Sequence, residues 1–189
     1  MSQPPRSKTM TVLTGIFRVA RGRADGILLF GDTTQAFLSS LAPLIAFPVV
    51  GGLLMVFGGG GIRAVADLLA TICALLAPPV LSHEIARRWG REDAWLRYAT
   101  AFNWCQWVLP VIGAIMLILL GFAMAAGLSQ RTASEAFLLG LAVYAMWLHW
   151  FLVRRGLALS GWRSVLFVIG VNIGTIGIVI IPRLLTRTL

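Results

Sequence analysis

Five stretches of about twenty apolar residues, the length that crosses a bilayer as a helix, dominate this sequence. They span 36–57, 62–82, 101–126, 135–153 and 164–182. Apolar residues make up 58% of the chain and charged residues 12%, whereas a soluble domain carries about 25% charged residues. The sequence therefore predicts an all-α, polytopic membrane bundle of five transmembrane helices.

The basic residues are divided unevenly between the two sides that these helices define. Twelve of the sixteen precede the first stretch or lie in the second and fourth connections, and four lie on the opposite side. Because Lys and Arg favour the cytoplasmic side of a membrane, this division predicts a cytoplasmic N-terminus and, after five crossings, a periplasmic C-terminus. The expected location is the inner membrane of a bacterium.

All seven tryptophans fall on the same predicted cytoplasmic side. They are Trp89, Trp95, Trp104, Trp107, Trp147, Trp150 and Trp162. An amphipathic indole suits the level of the lipid headgroups, so interfacial anchoring is one interpretation. The other is a cytoplasmic interface for a partner, formed by these tryptophans with Arg154 and Arg155.

Two domains are predicted: a cytoplasmic segment over residues 1–33 and a single transmembrane domain over residues 34–189. The first contains apolar residues at helical spacing, with arginines elsewhere on the helical wheel. These apolar residues are Leu13, Ile16, Phe17 and Ala20. This pattern predicts an amphipathic helix that lies in the interface beside anionic lipids.

Two predicted spans begin with the spacing of a capping box. Asp32 is followed three residues later by Gln35, and Thr132 by Glu135. A short polar side chain at this position accepts a hydrogen bond from the first turn of a helix. The spacing predicts helix starts at both places.

Four consecutive glycines, Gly58 to Gly61, separate the first two stretches. A phosphate-binding loop needs a preceding strand, a following helix and usually G-K-[ST], which this segment lacks. Glycine can adopt a positive φ and lets helices approach closely. The glycine run therefore predicts a tight turn between two helices.

Arg63, Asp67 and Asn172 form the candidate intramembrane polar site. Arg63 and Asp67 are four residues apart and face one another on a helix, and an ionisable residue at this depth is costly unless it is paired or hydrated. Two alternatives stay open: a structural ion pair, or a site for a solute or a proton. Pro43 and Pro48 kink the first span, which either shapes the bundle or marks a transport site.

Gly170, Gly174 and Gly177 give the fifth span a face of small residues. Such faces let transmembrane helices pack closely, within a chain or between chains. We therefore predict a helix-packing face at these three positions.

The sequence offers no arrangement typical of catalysis or metal binding. His149 has no second histidine or acidic residue at metal-ligand spacing, and His83 precedes Glu84 without an H-E-x-x-H pattern. The serines of the spans have no partnered base. We therefore expect a protein that is not an enzyme and that uses no cofactor or metal.

One segment carries a family resemblance. In WFLVRRGLALSGWRSVLFVIGVNIG, Trp150 to Gly174, a span exits into a short basic loop and re-enters a glycine-containing last span. With five spans and a cytoplasmic N-terminus, this pattern resembles the Ypt-interacting-protein (Yip) family of small membrane proteins and its bacterial relatives. The resemblance implies a helical bundle that organises or shapes membrane, or assists other membrane proteins. The D-L-Y-G-P stretch of the eukaryotic members, which engage small GTPases, does not occur in this sequence, so neither that partner nor any site residue is carried over.

The expected function is that of a scaffold, accessory subunit or membrane organiser. Its expected partners are anionic lipids, another membrane protein or further copies of the chain. The alternative is a small oligomeric transporter or channel for ions or small solutes that uses Asp67 and the proline-kinked first span. The net charge of +9 is explained by the loops that the basic residues occupy, so no nucleic-acid partner is expected.

Overall fold

The computed structural model describes residues 8–185, and within this range the chain is helical with short connections and no strands. The helices are α1 (Lys8–Ala20), α2 (Thr34–Met55), α3 (Gly61–Arg88), α4 (Glu92–Cys105), α5 (Val108–Ala125), α6 (Gln130–Gly156) and α7 (Gly161–Leu185). The all-α prediction is therefore confirmed. Four helical stretches are long and apolar enough to cross a membrane: Thr34–Arg88, Glu92–Ala125, Gln130–Gly156 and Gly161–Ile178. Arg6 and Arg187, which contribute to the predicted charge division, lie outside the described residues.

The first of these stretches contains two helices that lie side by side. Gly59 and Gly61 have φ angles of +94° and +58°, a region that glycine adopts without steric cost. A methyl carbon placed on Gly52 of α2 would lie 2.5 Å from Cδ1 of Leu68 of α3. The chain therefore reverses direction in the glycine run.

The third predicted span differs from the structure. It was expected over 101–126, but α4 begins at Glu92 and ends at Cys105, and α5 begins at Val108. Pro110 explains the break, because proline donates no backbone hydrogen bond and its ring clashes with the carbonyl four residues earlier, that of Gln106. Helices α3, α6 and α7 extend past both ends of their predicted spans, whereas α2 ends at Met55, two residues before the predicted end.

Both predicted helix starts are displaced. The side chain that caps α2 is that of Thr33, which accepts a hydrogen bond from the Ala36 amide at 3.2 Å. Ser129 caps α6 through the Thr132 amide at 3.2 Å. Asp32 instead forms an ion pair with Arg97 of α4, so tertiary contact, not capping, decides its role.

The buried core lies at one end of the bundle, which we call the basic end. The basic end is defined by exposed arginines at the ends of α3, α6 and α7: Arg87, Arg91, Arg154, Arg155 and Arg163. Helix α4 lies in its centre and is buried at six positions: Tyr98, Ala99, Thr100, Ala101, Asn103 and Cys105. Side chains from α6 and α7 pack around it, among them Leu152, Val153 and Phe167. The opposite end, which holds Val56–Gly60, we call the hairpin end.

Helix α1 packs on the core at the basic end together with the 3₁₀ turn Ala24–Leu29. Arg18 of α1 donates a hydrogen bond to Asp25 at 2.8 Å, and Arg23 pairs with the same carboxylate at 3.2 Å. Desolvation acts to raise the pKa of Asp25, but the hydrogen bond from Arg23 and the charges of both arginines outweigh it and lower that pKa. The ion pairs thus hold the turn against α1.

The apolar residues of α1 lie on two faces. Val19 is fully buried against the core, while three large side chains are more than half exposed: Met10, Leu13 and Phe17. Leu13 and Phe17 were predicted to share a face with Ile16 and Ala20, which are half-buried. Helix α1 therefore contacts the protein on one side and displays an apolar surface on the other.

Candidate functional site

A cavity of about 320 Å³ lies between α2, α3, the α4–α5 junction, α6 and α7. Its walls are mostly apolar, and its polar side chains are Asn103, Gln106, His149, Asn172 and Thr175. None of the described residues that line it is charged. We call it the central cavity.

His149 joins two helices beside this cavity. Its Nε2 lies 3.2 Å from the Tyr98 hydroxyl oxygen on α4, and its Nδ1 lies 3.3 Å from Nδ2 of Asn172 on α7. Asn172 also donates a hydrogen bond to the Val168 carbonyl at 2.8 Å. A carbonyl can only accept, so the Asn172 atom near it is the amide nitrogen, which also donates to Nδ1 of His149. The ring proton of a neutral His149 therefore resides on Nε2, which donates to the Tyr98 hydroxyl oxygen.

A second pair of polar side chains connects α4 to α2. Nδ2 of Asn103 donates to the Ser40 hydroxyl at 3.1 Å, and Ser40 donates to the Phe37 carbonyl at 2.6 Å. Asn103 is 2% exposed and Ser40 is fully buried. Buried polar groups of this kind are costly unless they are bonded, so the pair fixes the position of α4 against α2.

Two helix irregularities meet at the central cavity. Pro78 and Pro79 lie inside α3, and since proline has no N–H, the carbonyls of Ala74 and Leu75 lack their usual helical donors. All four residues line the cavity. On the other wall, Gln106 lies in the break between α4 and α5. Discontinuous helices of this kind line the substrate sites of many transporters.

The three residues of the predicted polar site are not brought together. Asn172 lines the central cavity, whereas Arg63 and Asp67 do not, and both are exposed near the hairpin end of α3. Asp67 is eleven residues before Pro78, close to three full turns, so it lies on the cavity-lining face of α3 but nearer the hairpin end.

The glycines of α7 lie against α3. A methyl carbon placed on Gly174 would be 2.7 Å from Cδ1 of Leu81, and one on Gly170 would be 3.5 Å from Cδ1 of Ile85. Gly177 is half-buried on the same helix. In the structure, the close approach at Gly170 and Gly174 is a contact within the chain.

The tryptophans differ in their surroundings. Six are partly buried and contact neighbouring helices, as Trp95 does through a 3.0 Å hydrogen bond to Ser82. Trp162 is 70% exposed. The guanidinium carbon of Arg154 lies 5.1 Å from the ring centre of Trp150, a cation–π distance. The exposed part of the predicted cytoplasmic interface is therefore the corner formed by Trp162, Arg154 and Arg155.

Tyr98, Asn103 and Gln106 were not predicted as site residues. They follow a strongly charged segment, so no local pattern indicates that this helix occupies the centre of the bundle. The spacing around His149 bears only on metal binding and does not indicate its bonds to Tyr98 and Asn172. The sequence feature that could have marked His149 as a site residue is its position inside an apolar run, because a polar residue within a membrane span is a functional candidate by default.

No family model, no curated protein and no solved structure matches this chain, so the resemblance to the Yip family depends on the predicted topology and on Trp150 to Gly174 alone.

Proposed function

We propose that the chain is an integral protein of a bacterial inner membrane that crosses the bilayer five times. The crossings are α2, α3, the α4–α5 pair, α6 and α7, with the basic end in the cytoplasm and the C-terminus in the periplasm. Most of the exposed arginines of the described residues lie at the basic end, whereas Arg63 and Arg131 lie at the other, and this excess supports the orientation. A reporter fused after Leu189 would be active in the periplasm, and activity only in the cytoplasm would overturn the proposal.

Within that membrane, the protein acts as a non-enzymatic scaffold or accessory subunit. The observation that carries this proposal is the packing of α5, whose main helical neighbour among the described elements is α6. Large apolar side chains are exposed along one face of this helix, Val111 by 58%, Ile118 by 61% and Phe122 by 72%. Helices associate in lipid through close packing, not through a hydrophobic driving force, and this face of α5 is available for such packing. The proposed partner is a transmembrane helix of a second protein.

The basic end supplies a second contact region. The corner of Trp162, Arg154 and Arg155 is exposed and basic, which suits anionic lipid headgroups. The apolar outer surface of α1, with Leu13 and Phe17 exposed, suits the boundary between headgroups and acyl chains. We propose that this end rests on the cytoplasmic leaflet, as a Yip-like membrane organiser would.

The alternative function is transport of a small solute by an oligomer. The central cavity favours it, since broken helices and polar side chains meet there. The residues of this transport site differ from the predicted ones. Asp67 does not line the cavity, and among the described residues of the first span Leu44 is the one that does.

The test is the composition of the particle extracted from native membranes in a mild detergent, measured by light scattering and mass spectrometry. A stoichiometric companion protein is expected. Replacing Ile118 and Phe122 by alanine should release it, whereas the matched change Leu54→Ala on the exposed face of α2 (69% exposed) should not.

A wild-type particle that contains only this chain would overturn the scaffold proposal and favour transport. Retention of the companion by the α5 variant would show that α5 is not the docking helix, which would remove the observation on which the proposal stands.

A further inference from the structure

The central cavity has the dimensions of a small-molecule site. Its volume of about 320 Å³ is at the lower end of the range of about 300 to 1,000 Å³ for such sites. Leu44, Leu75, Leu109 and Met146 provide apolar walls. The cavity therefore has room for a molecule with an apolar body.

The polar groups of the cavity are neutral, and oxygen acceptors predominate. The amide nitrogen of Asn172 is committed to Val168 and His149, and that of Asn103 donates to Ser40. Among residues 8–185 no hydrogen bond reaches the side-chain oxygen of either asparagine. The carbonyls of Ala74 and Leu75 lack their helical donors because of the two prolines.

Gln106 adds an amide that is not committed elsewhere. Its side chain lines the cavity and makes no hydrogen bond with any other described residue. These acceptors face the cavity, and an acceptor that a bound molecule covers without donating to it costs free energy. A ligand that satisfies this site must bring a hydrogen-bond donor, and a hydroxyl can also accept from Gln106.

The charge of the ligand follows from the lining. A charged molecule here would be buried without a counter-charge, since the described lining residues are all neutral, and burial of an unpaired charge is strongly unfavourable. The ligand is therefore neutral.

A ligand can enter the central cavity only on a side where side chains do not close the bundle. Toward the basic end, Tyr98, Leu152 and Phe167 are at most 2% exposed and seal the cavity. On the other side, Phe47 of α2 and Trp107, which lies in the break between α4 and α5, form an edge contact with ring centres 5.5 Å apart. Phe47 is itself 68% exposed, so this side of the bundle, next to cavity-lining Leu44 and Gln106, faces the bilayer in the proposed membrane position.

We propose that the central cavity binds a neutral, membrane-soluble alcohol. Its hydroxyl lies against Gln106, Asn172 and the carbonyls freed by Pro78 and Pro79, and its apolar body lies along Leu44, Leu109 and Met146. The proposal goes beyond the scaffold function and does not depend on it, because a purified chain without a companion offers the same cavity.

The test uses the full chain in phosphatidylcholine nanodiscs and a diazirine-bearing octanol as a photolabel, with adducts located by mass spectrometry. Labelling of the cavity wall at Leu75, Leu109 or Met146 should saturate. Unlabelled 1-octanol should displace the photolabel, whereas octanoate and octylammonium should require at least about tenfold higher concentrations.

Gln106→Leu should raise the half-saturating concentration of the photolabel about tenfold, as expected for loss of one hydrogen bond. Gln130→Leu, the same change at the exposed start of α6, should leave it unaltered. The displacement experiment with octanol, octanoate and octylammonium uses the unaltered chain. It therefore still tests the proposal if the Gln106→Leu variant fails to fold.

Three results would overturn the proposal. The first is labelling that does not saturate, or that spreads over the exposed surface of α5. The second is that octylammonium or octanoate displaces the photolabel at least as effectively as octanol does. The third is that the two glutamine substitutions change the half-saturating concentration equally. Because none of these readouts involves a companion protein, failure here is distinct from failure of the scaffold proposal.

Discussion

Adjacent glycines in α2 should respond in opposite ways to the same substitution. A methyl carbon on Gly51 would meet no atom of residues 8–185 within 4 Å, whereas one on Gly52 would lie 2.5 Å from Cδ1, 3.0 Å from Cγ and 3.1 Å from Cβ of Leu68. Both residues are helical, so alanine brings each the same gain in backbone entropy. Only the contact with α3 distinguishes the two positions.

The magnitudes follow from these distances. Glycine to alanine in a helix stabilises by about 0.5 to 1 kcal/mol, which is the expected result for Gly51→Ala. At Gly52 the Cδ1 and Cγ atoms of Leu68 can move by side-chain rotation, but its Cβ, 3.1 Å away, cannot move unless α3 shifts, and overpacking costs about 1 to 3 kcal/mol. The two variants should therefore differ by about 1 to 3 kcal/mol, roughly 5- to 150-fold in the unfolding equilibrium.

The assay is reversible unfolding by SDS in mixed micelles, which reports the free energy of unfolding of each variant. Leu68→Ala combined with Gly52→Ala should recover stability relative to the sum of the single changes, since the close contact is then removed. Equal stability of the two glycine variants, or a Gly52→Ala variant more stable than Gly51→Ala, would refute the side-by-side packing of α2 and α3.

Three further outcomes are expected. Trp95→Phe and Ser82→Ala each remove the same 3.0 Å hydrogen bond and should each lower the free energy of unfolding by about 0.5 to 1.5 kcal/mol in the SDS assay; an unchanged midpoint would contradict that contact. The pKa of the Asp25 carboxyl is lowered in the folded protein. The ionised carboxylate therefore stabilises the fold fully at pH values above its ordinary pKa of about 3.9, and this stabilisation is lost as the pH falls through the lowered pKa of the folded state. Hydrogen exchange in α1 should accelerate over that interval, and Asp25→Asn should abolish the acceleration. A lipophilic maleimide should label exposed Cys73 and reach buried Cys105 only after unfolding in SDS; simultaneous labelling of both would refute the central position of α4.

The helical content of the chain was predictable because apolar runs of this length have few other stable states in a membrane. The glycine turn was predictable for a related reason, since positive φ angles such as those of Gly59 and Gly61 are accessible to few other residues. Helix ends were less predictable. Apolar runs stop at the first polar residue, whereas α3 and α4 continue through charged turns whose side chains form ion pairs, such as Glu84 with Arg88 at 2.7 Å.

The candidate site was predictable only in part. Asn172 was identified because an amide in an apolar helix is conspicuous, and it lines the central cavity. Tyr98 and Gln106 were not, because the pattern of α4 resembles that of a helix on the surface. Nothing local reveals that this helix is surrounded by α2, α3 and α6.

The sequence by itself determined that the protein is helical, apolar enough for a membrane, asymmetric in charge and turned by its glycines, since all of these depend on composition and on contacts between near neighbours in the chain. Only the tertiary structure decided that His149 joins Tyr98 to Asn172, residues 51 and 23 positions away from it, and that the two prolines of α3 face the break before α5. These arrangements depend on how helices rotate and pack against one another. That rotation is the combined result of many weak long-range contacts, which no short segment of the chain encodes.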